Sequence, residues 1–328
     1  MRKMTEPNYH ISKGLNDFLD DLDFKLNHPN ELKGISTGYD YLDAKLDGLK
    51  AGEVTIIGAR PAMGKTSLAI NMAYNIAASF YAKHQQNEQD NRCVVFVGLE
   101  YLAKEFAQKL LALQTHIPNH QLHRGEGLDK SFEEITKAEY ALKELPIYYV
   151  DDACNVDDIA VKLHKIEEEK QIGCVVIDYL QLLGEEYQAK EDYSLIMAQI
   201  KALAVKFNVP VIVLSQLKRE LETRADKRPL RCDIRGYVRN QNAADNILFL
   251  YREIYYIRFA EPTKRKKETD EHYLQRINQW QERCKEVDNL CEIIIAKNTN
   301  GHYGTIKLYF DWSTGLFWNG KEDDFNIL

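Results

Sequence analysis

The run from Val54 to Ser67, Val-Thr-Ile-Ile-Gly-Ala-Arg-Pro-Ala-Met-Gly-Lys-Thr-Ser, leaves this chain few folds to choose from. Val54 to Ile57 is short, apolar and largely β-branched, the sequence of a central parallel strand covered on both faces. Beyond the loop, Leu68, Ala69, Met72, Ala73, Ile76, Ala77 and Phe80 repeat at helical spacing, so a helix follows. Between strand and helix, Gly64 allows a close approach of backbone to oxygen atoms. Lys65 can reach β- and γ-phosphates, and the Thr66 hydroxyl can ligate Mg²⁺. The helix points its positive end at the same place. In strict register the first loop glycine is replaced by Ala59, with Gly58 one place early. Ala59, Arg60, Pro61, Met63, Gly64, Lys65, Thr66 and Ser67 are therefore the expected cradle of a nucleoside triphosphate.

The rest of the chain supplies the sheet this motif needs. Apolar runs at 54–57, 94–99, 147–150, 174–177, 211–215 and 247–251 alternate with helical patterns near 66–82, 103–115, 131–145, 157–171 and 193–207. Such alternation predicts an α/β fold with a mainly parallel sheet covered by helices on both faces. The chain closes on β signals at 292–296, 305–310 and 316–318, with a turn at Gly301 and Gly304. Ahead of the core, Ile11, Leu15, Phe18, Leu22 and Leu26 predict an amphipathic helix over Asn8–Asn27, ended by Pro29. Such a helix has too little core to fold alone and must pack on this domain or on another subunit. A charged stretch, 261–288, interrupts the pattern with Lys264-Arg-Lys-Lys267 and predicts an exposed helical insertion. Residues 1–33 thus read as helix and arm, and 34–328 as one domain.

Composition narrows the setting. Apolar residues make up 45% and charged residues 28% of the 328, as in ordinary soluble domains. No run approaches membrane-span length, and Met1–Asn8 is too polar for a signal peptide. Six cysteines show no C-x-x-C spacing, so neither disulfides nor a zinc site is expected and a cytoplasmic setting fits. A net charge of −7 argues against indiscriminate nucleic-acid binding. Yet Lys218–Arg239 carries eight basic residues against four acidic ones. That strip reads either as a solvated face or as a contact for phosphates.

In open α/β sheets ligands sit at the carboxyl ends of the strands. Asp178 ends the run Cys174–Ile177 and is suited to a Mg²⁺ ion beside Thr66, or to capping a turn. Glu100 follows 94–99 and could polarise the attacking water, or cap the next helix. Gln216 follows 211–215, where an amide could donate to a γ-phosphate and report it to the basic strip.

Gly34-Ile-Ser-Thr-Gly-Tyr-Asp-Tyr-Leu-Asp43, Gly48-Leu-Lys-Ala-Gly52 and Gly58–Thr66 together resemble the DnaB-type replicative helicases, in their RecA-like C-terminal ATPase domain. Ile177–Leu183, Val211–Leu217 with Arg224–Pro229, and Ile293–Gly301 are similar to that family's later motifs, in order. The resemblance implies an ATP- and Mg²⁺-dependent ring, usually a hexamer, with nucleotide between subunits and single-stranded DNA in the channel. It gives Lys65, Thr66, Glu100, Asp178 and Gln216 the roles above. It makes the helix at 8–27 a linker docking on the neighbouring protomer. The domain that family members carry ahead of that helix is not expected here, nor is its partner-binding role; no loader can be named. Arg235 matches the family's channel-loop arginine, and Arg231 and Arg239 flank it as candidate DNA contacts. The family's glutamate and glycine in that loop are replaced by Gly236 and Val238, and the loop at 184–192 is acidic. Where the family places an arginine that completes the neighbour's site, this chain has Thr299, two residues after Lys297. Lys297, or an arginine of the insertion such as Arg258 or Arg265, is the candidate replacement. The expected function is a ring-forming ATP-dependent helicase or translocase. The alternative is an ATP-binding assembly protein with weak hydrolysis and little unwinding.

Overall fold

The structure is a computed structural model that describes residues 11–29, 31–87, 90–128, 131–183, 193–236 and 243–320. The expected loop at 184–192, Arg239 and residues 8–10 of the amphipathic segment lie outside the described residues.

The first strand, β1 (Val54–Ala59), is buried along its whole length. It is flanked by β5 (Val211–Gln216) and β6 (Asn246–Tyr251), both parallel to it. On the far side of β5 come β4 (Gln171–Asp178), β2 (Arg92–Gly98) and β3 (Ile147–Val150). Beyond β6 the sheet turns antiparallel through β7 (Leu290–Asn298), β8 (Gly304–Asp311) and β9 (Leu316–Trp318). The order is β3-β2-β4-β5-β1-β6-β7-β8-β9.

Alternate residues of the central strands feed two cores. Val54, Ile56, Val175, Ile177, Val211 and Val213 pack on one side. Ile57, Ala59, Cys174, Val176, Ile212 and Leu214 pack on the other. Both faces are thus apolar, which is why these strands read as unbroken runs. Helix α3 (Lys65–Gln86) and α4 (Ala103–Thr115) cover the second face, with α6 (Phe132–Glu144) packed on α4; α7 (Val156–Glu167) and α8 (Ser194–Phe207) cover the first.

The predicted helix over 157–171 stops at Glu167, because Gln171 already pairs with Arg92 as β4 begins. Two short helices, α2 (Asp40–Leu46) and α5 (Asn119–Arg124), were not predicted. The Gly34–Asp43 motif is a clamp: buried Asp43 accepts hydrogen bonds from the Ser36 hydroxyl (2.6 Å), the Thr37 amide (2.9 Å) and the Thr37 hydroxyl (2.8 Å).

Helix α1 (Ser12–Asn27) is anchored at its end by Lys25, which pairs with Asp47 at 2.6 Å. Its apolar residues are uncovered, with Ile11 70%, Phe18 60% and Leu26 72% exposed. The insertion after β6 holds α9 (Glu253–Ile257) and α10 (Asp270–Glu286). The Trp280 indole donates to the Ile257 carbonyl at 2.8 Å, and Arg283 grips Glu253 at 2.8 and 2.6 Å.

Candidate active site

Pairing brings the carboxyl ends of four strands level. Ala59 lies beside Gln216, and Gly98 beside Asp178. The loops leaving these strands enclose a cleft of about 260 Å³, lined by Ala59, Arg60, Pro61, Gly64, Lys65, Thr66, Ser67, Glu100 and Gln216 among others. Residues read from distant stretches of sequence therefore meet in one place. Gly64 adopts φ +92°, and a Cβ there would press on the Phe310 and Phe317 rings at 3.1 Å, so glycine is required twice over. Met63, by contrast, is buried in the core rather than in the cleft.

Asp178 is the telling residue. It is 1% exposed, and neither carboxylate oxygen has a hydrogen-bond partner of full geometry, although the Thr66 hydroxyl faces it. Lys65 Nζ stands 3.9 Å away and 4.4 Å above the Tyr179 ring. Burial raises the Asp178 pKa, with Lys65 and Thr66 opposing. Burial lowers that of Lys65, with Asp178 and Glu100 opposing. Each group is thus pushed toward neutrality, so their attraction does not repay the loss of water. A buried, unsatisfied carboxylate beside a hydroxyl is a donor set that fits a hard divalent cation. A lysine at the N-terminus of α3, beside the loop that leaves β1, fits phosphate.

Gln181 was not among the predicted site residues. Its amide donates to Ser215 Oγ (3.0 Å) and accepts from the Gln216 amide (3.1 Å), fixing the end of β5. Lys109 and Tyr101 also line the cleft, with the Lys109 ammonium 4.7 Å from the Tyr101 ring centre. Both follow Glu100 on or before α4, a position that the helical pattern alone did not single out.

Arg60 lines the cleft but turns its guanidinium away. It donates to Glu222 at 2.9 Å and to the Leu217 carbonyl at 2.8 Å. The phosphate loop is thereby tied to the segment that follows Gln216. In the basic strip, Arg224 grips buried Asp233 at 3.0 and 2.8 Å, and Arg228 grips Glu292 at 2.7 and 2.7 Å. Two of the strip's cations are thus occupied in holding it in shape. Leu217 pairs with Ile234, which returns Arg235 to the end of β5, where its charge reaches Tyr179. Arg231 is exposed and acts instead on Lys297.

Lys297 and Thr299 are not in the cleft. Asn246 at the start of β6 pairs with Asn298, and with Thr55 on its other side. Both residues therefore lie at the amino end of the parallel strands, away from the phosphate loop. There Lys297 donates to the Ala244 carbonyl at 2.5 Å, and the Thr299 hydroxyl to the Asp245 carbonyl at 2.8 Å. Burial lowers the Lys297 pKa; Asp245 opposes, while Arg231 and Lys201 add to the lowering. Arg258 pairs with Asp288 at 2.6 Å.

The sheet order, the loop and its carboxylates define a RecA-like P-loop ATPase domain. Residues 34–319 match the DnaB-like helicase C terminal domain, and the chain belongs to that family. It is 33% identical over 308 residues to the replicative DNA helicase DnaB of Geobacillus stearothermophilus, covering 91% of this chain and 60% of that protein. It is 32% identical over 291 residues to that of Rickettsia bellii, covering 87% and 57%. The chain thus spans less than two thirds of the length of these relatives. A solved ATPase domain is similar in structure, with a TM-score of 0.76 and 27% identity over 96% of this chain and 100% of that one. A DnaB-like replicative helicase, described with its interactions with primase, has a TM-score of 0.76 and 27% identity over 95% and 69%. Among the described residues no helix is long and apolar enough to cross a membrane.

Proposed function

We propose that this chain is the motor domain of a ring-forming helicase or translocase, hydrolysing ATP to move on single-stranded DNA in replication within the cytoplasm. The buried, unsatisfied Asp178 carboxylate beside Lys65 and Thr66 carries the reading. Lys65 and the backbone amides at the start of α3 hold the phosphates. Thr66 and Asp178 would hold Mg²⁺, which when bound neutralises charge on the phosphate oxygens. Glu100 orients the attacking water. Gln216, on a strand end fixed by Gln181, contacts the γ-phosphate. Arg60 and the Leu217–Ile234 pairing link that strand end to Arg235, the candidate DNA contact. The exposed apolar stripe of α1 docks on a neighbouring copy, and six copies close the ring.

A second reading keeps the same ATP site in an assembly protein of slow turnover. Thr299 favours it, because threonine supplies no charge across a subunit boundary. An ATPase assay with and without single-stranded DNA, on material of measured oligomeric state, separates the two. Turnover stimulated by DNA supports the motor. Slow, DNA-indifferent turnover supports the assembly protein. Lys65→Ala is expected to abolish MgATP binding in calorimetry, and wild-type affinity there would sink both.

A further inference from the structure

Glu100 leaves the sheet on a loop that is fixed on either side of it. The Leu99 amide donates to the Asp178 carbonyl at 2.9 Å, so the residue before Glu100 is tied to the main chain of the metal carboxylate. The Tyr101 carbonyl, just after Glu100, accepts from the Tyr149 hydroxyl at 2.6 Å. One residue later the Leu102 amide donates to Glu105 at 3.0 Å, which starts α4. Of these three ties only the middle one comes from outside the segment through a side chain.

Tyr149 sits on β3, the edge strand, paired with Phe96. Its ring packs on Phe106 with centroids 4.5 Å apart and on Phe96 at 6.0 Å. The hydroxyl passes directly over Gly98, where a Cβ would stand 1.9 Å from its oxygen. Gly98 does not have a positive φ, so its missing side chain is explained by the passage of Tyr149 rather than by backbone conformation. Burial pushes the Tyr149 hydroxyl above its ordinary pKa, reinforced by Asp151 and Asp178. It therefore stays protonated and remains a donor.

We infer that Tyr149 is a positioning residue for hydrolysis: its bond to the Tyr101 carbonyl sets where the Glu100 carboxylate stands over the phosphate cleft. The inference rests on the proposed role of Glu100. Tyr149 touches no reacting atom, and its effect is felt through a loop whose anchor on the other side of Glu100 belongs to Asp178. Small misplacements of a reacting group can cost up to about 10²-fold in rate. The ring contacts with Phe96 and Phe106 survive in Tyr149→Phe, so that variant removes the bond and keeps the packing.

The test compares wild type, Tyr149→Phe, Glu100→Gln and the double variant in the full chain. Phosphate release is followed at saturating MgATP, with single turnovers for slow variants. Nucleotide affinity is read with a fluorescent ATP analogue, and stability by thermal melting. Tyr149→Phe is expected to lower kcat about tenfold with Kd and melting little changed, the split of an interaction used in turnover and not in binding. In the Glu100→Gln background the same change is expected to alter the residual rate by less than about twofold, since two groups that act as one do not add. Wild-type kcat in Tyr149→Phe overturns the inference, as does an equal fold-loss in both backgrounds, whatever the melting temperature. Wild-type turnover in Glu100→Gln overturns the role of Glu100 itself, a result read from a different variant.

Discussion

Replacing Asp178 by Asn is expected to stabilise the nucleotide-free protein and to destroy its response to MgATP. The carboxylate is buried to 1% exposure with both oxygens unsatisfied, and Lys65 lies 3.9 Å off. A carboxylate left buried and unsatisfied costs more than the neutral amide that replaces it, by about 1–3 kcal/mol. The weak ion pair and the lysine left behind offset part of that in the variant, so about 1 kcal/mol is the net gain expected. For a domain of this size that is a rise of about 1–2 °C in melting temperature. MgATP at a hundred times its Kd would stabilise the wild type by about 2.7 kcal/mol, and the variant by little. The two melting curves should therefore exchange order when nucleotide is added. The dependence on pH has a definite sign. A carboxyl whose folded pKa is raised favours folding below its ordinary value, and that advantage is lost as pH rises through the raised value. The gap between variant and wild type should open on going from acid toward neutral pH and close on acidification. Differential scanning fluorimetry from about pH 4 to 8, with and without MgATP, measures all of this. A variant less stable than wild type without nucleotide, or one that keeps the full MgATP shift, would refute the reasoning.

Removing residues 11–27 takes away the exposed stripe of α1 and should shift the particle toward monomer in light scattering; an unchanged particle would mean that the helix does not hold copies together. Arg235→Ala should weaken single-strand binding about uniformly across sequences and reduce its salt slope by about 1, leaving ATP affinity intact. Arg224→Ala should instead lower melting, because it takes both guanidinium bonds from buried Asp233 and leaves that carboxylate the Leu230 amide, at a cost of about 1–3 kcal/mol. Thr299→Arg should raise turnover of the assembled protein, within the range of about 10³–10⁵ that such residues supply; brisk wild-type turnover unaffected by the change would point to an insertion arginine such as Arg258 or Arg265.

The central strands were legible because a parallel strand buried on both faces must be a continuous apolar run, and Val54–Ile57, Cys174–Ile177 and Val211–Leu214 have no competing pattern. Glu100, Asp178 and Gln216 were legible for a related reason: each is the first polar residue after such a run, or close to it, and the carboxyl edge is where loops converge. What the residues did not disclose was set by pairing between distant segments. The end of α7 is decided by Gln171 meeting Arg92, a partner far away in the chain. Arg224 and Arg228 read as free cations until Asp233 and Glu292 are seen to hold them. Tyr149 reads as an ordinary strand aromatic; only the bare backbone of Gly98 on β2 gives its hydroxyl a path. The helices Asp40–Leu46 and Asn119–Arg124 are too short for a period to stand out.

On the proposed reading, the distribution of groups along the sheet explains why one copy is not enough. The groups that would grip a triphosphate lie at the carboxyl end of the parallel strands, in a cleft whose buried cation, Lys65, is already pushed toward neutrality. Arg60, the other cation of the loop, is held by Glu222 and the Leu217 carbonyl. Lys297 and Thr299 lie at the opposite end, fixed to the carbonyls of Ala244 and Asp245. No rotation of a side chain carries either to its own phosphate loop; only a second copy, presenting its amino edge to the cleft, can do so. Charge developing on the γ-phosphate would then be met across a boundary, and hydrolysis would be linked to how closely two copies approach. Threonine at 299 would weaken that link where it acts, while the exposed stripe of α1 would still be there to hold copies together. On this reading assembly and turnover would be separable in one chain, with slow firing set by the residue at 299 rather than by any loss in the phosphate loop.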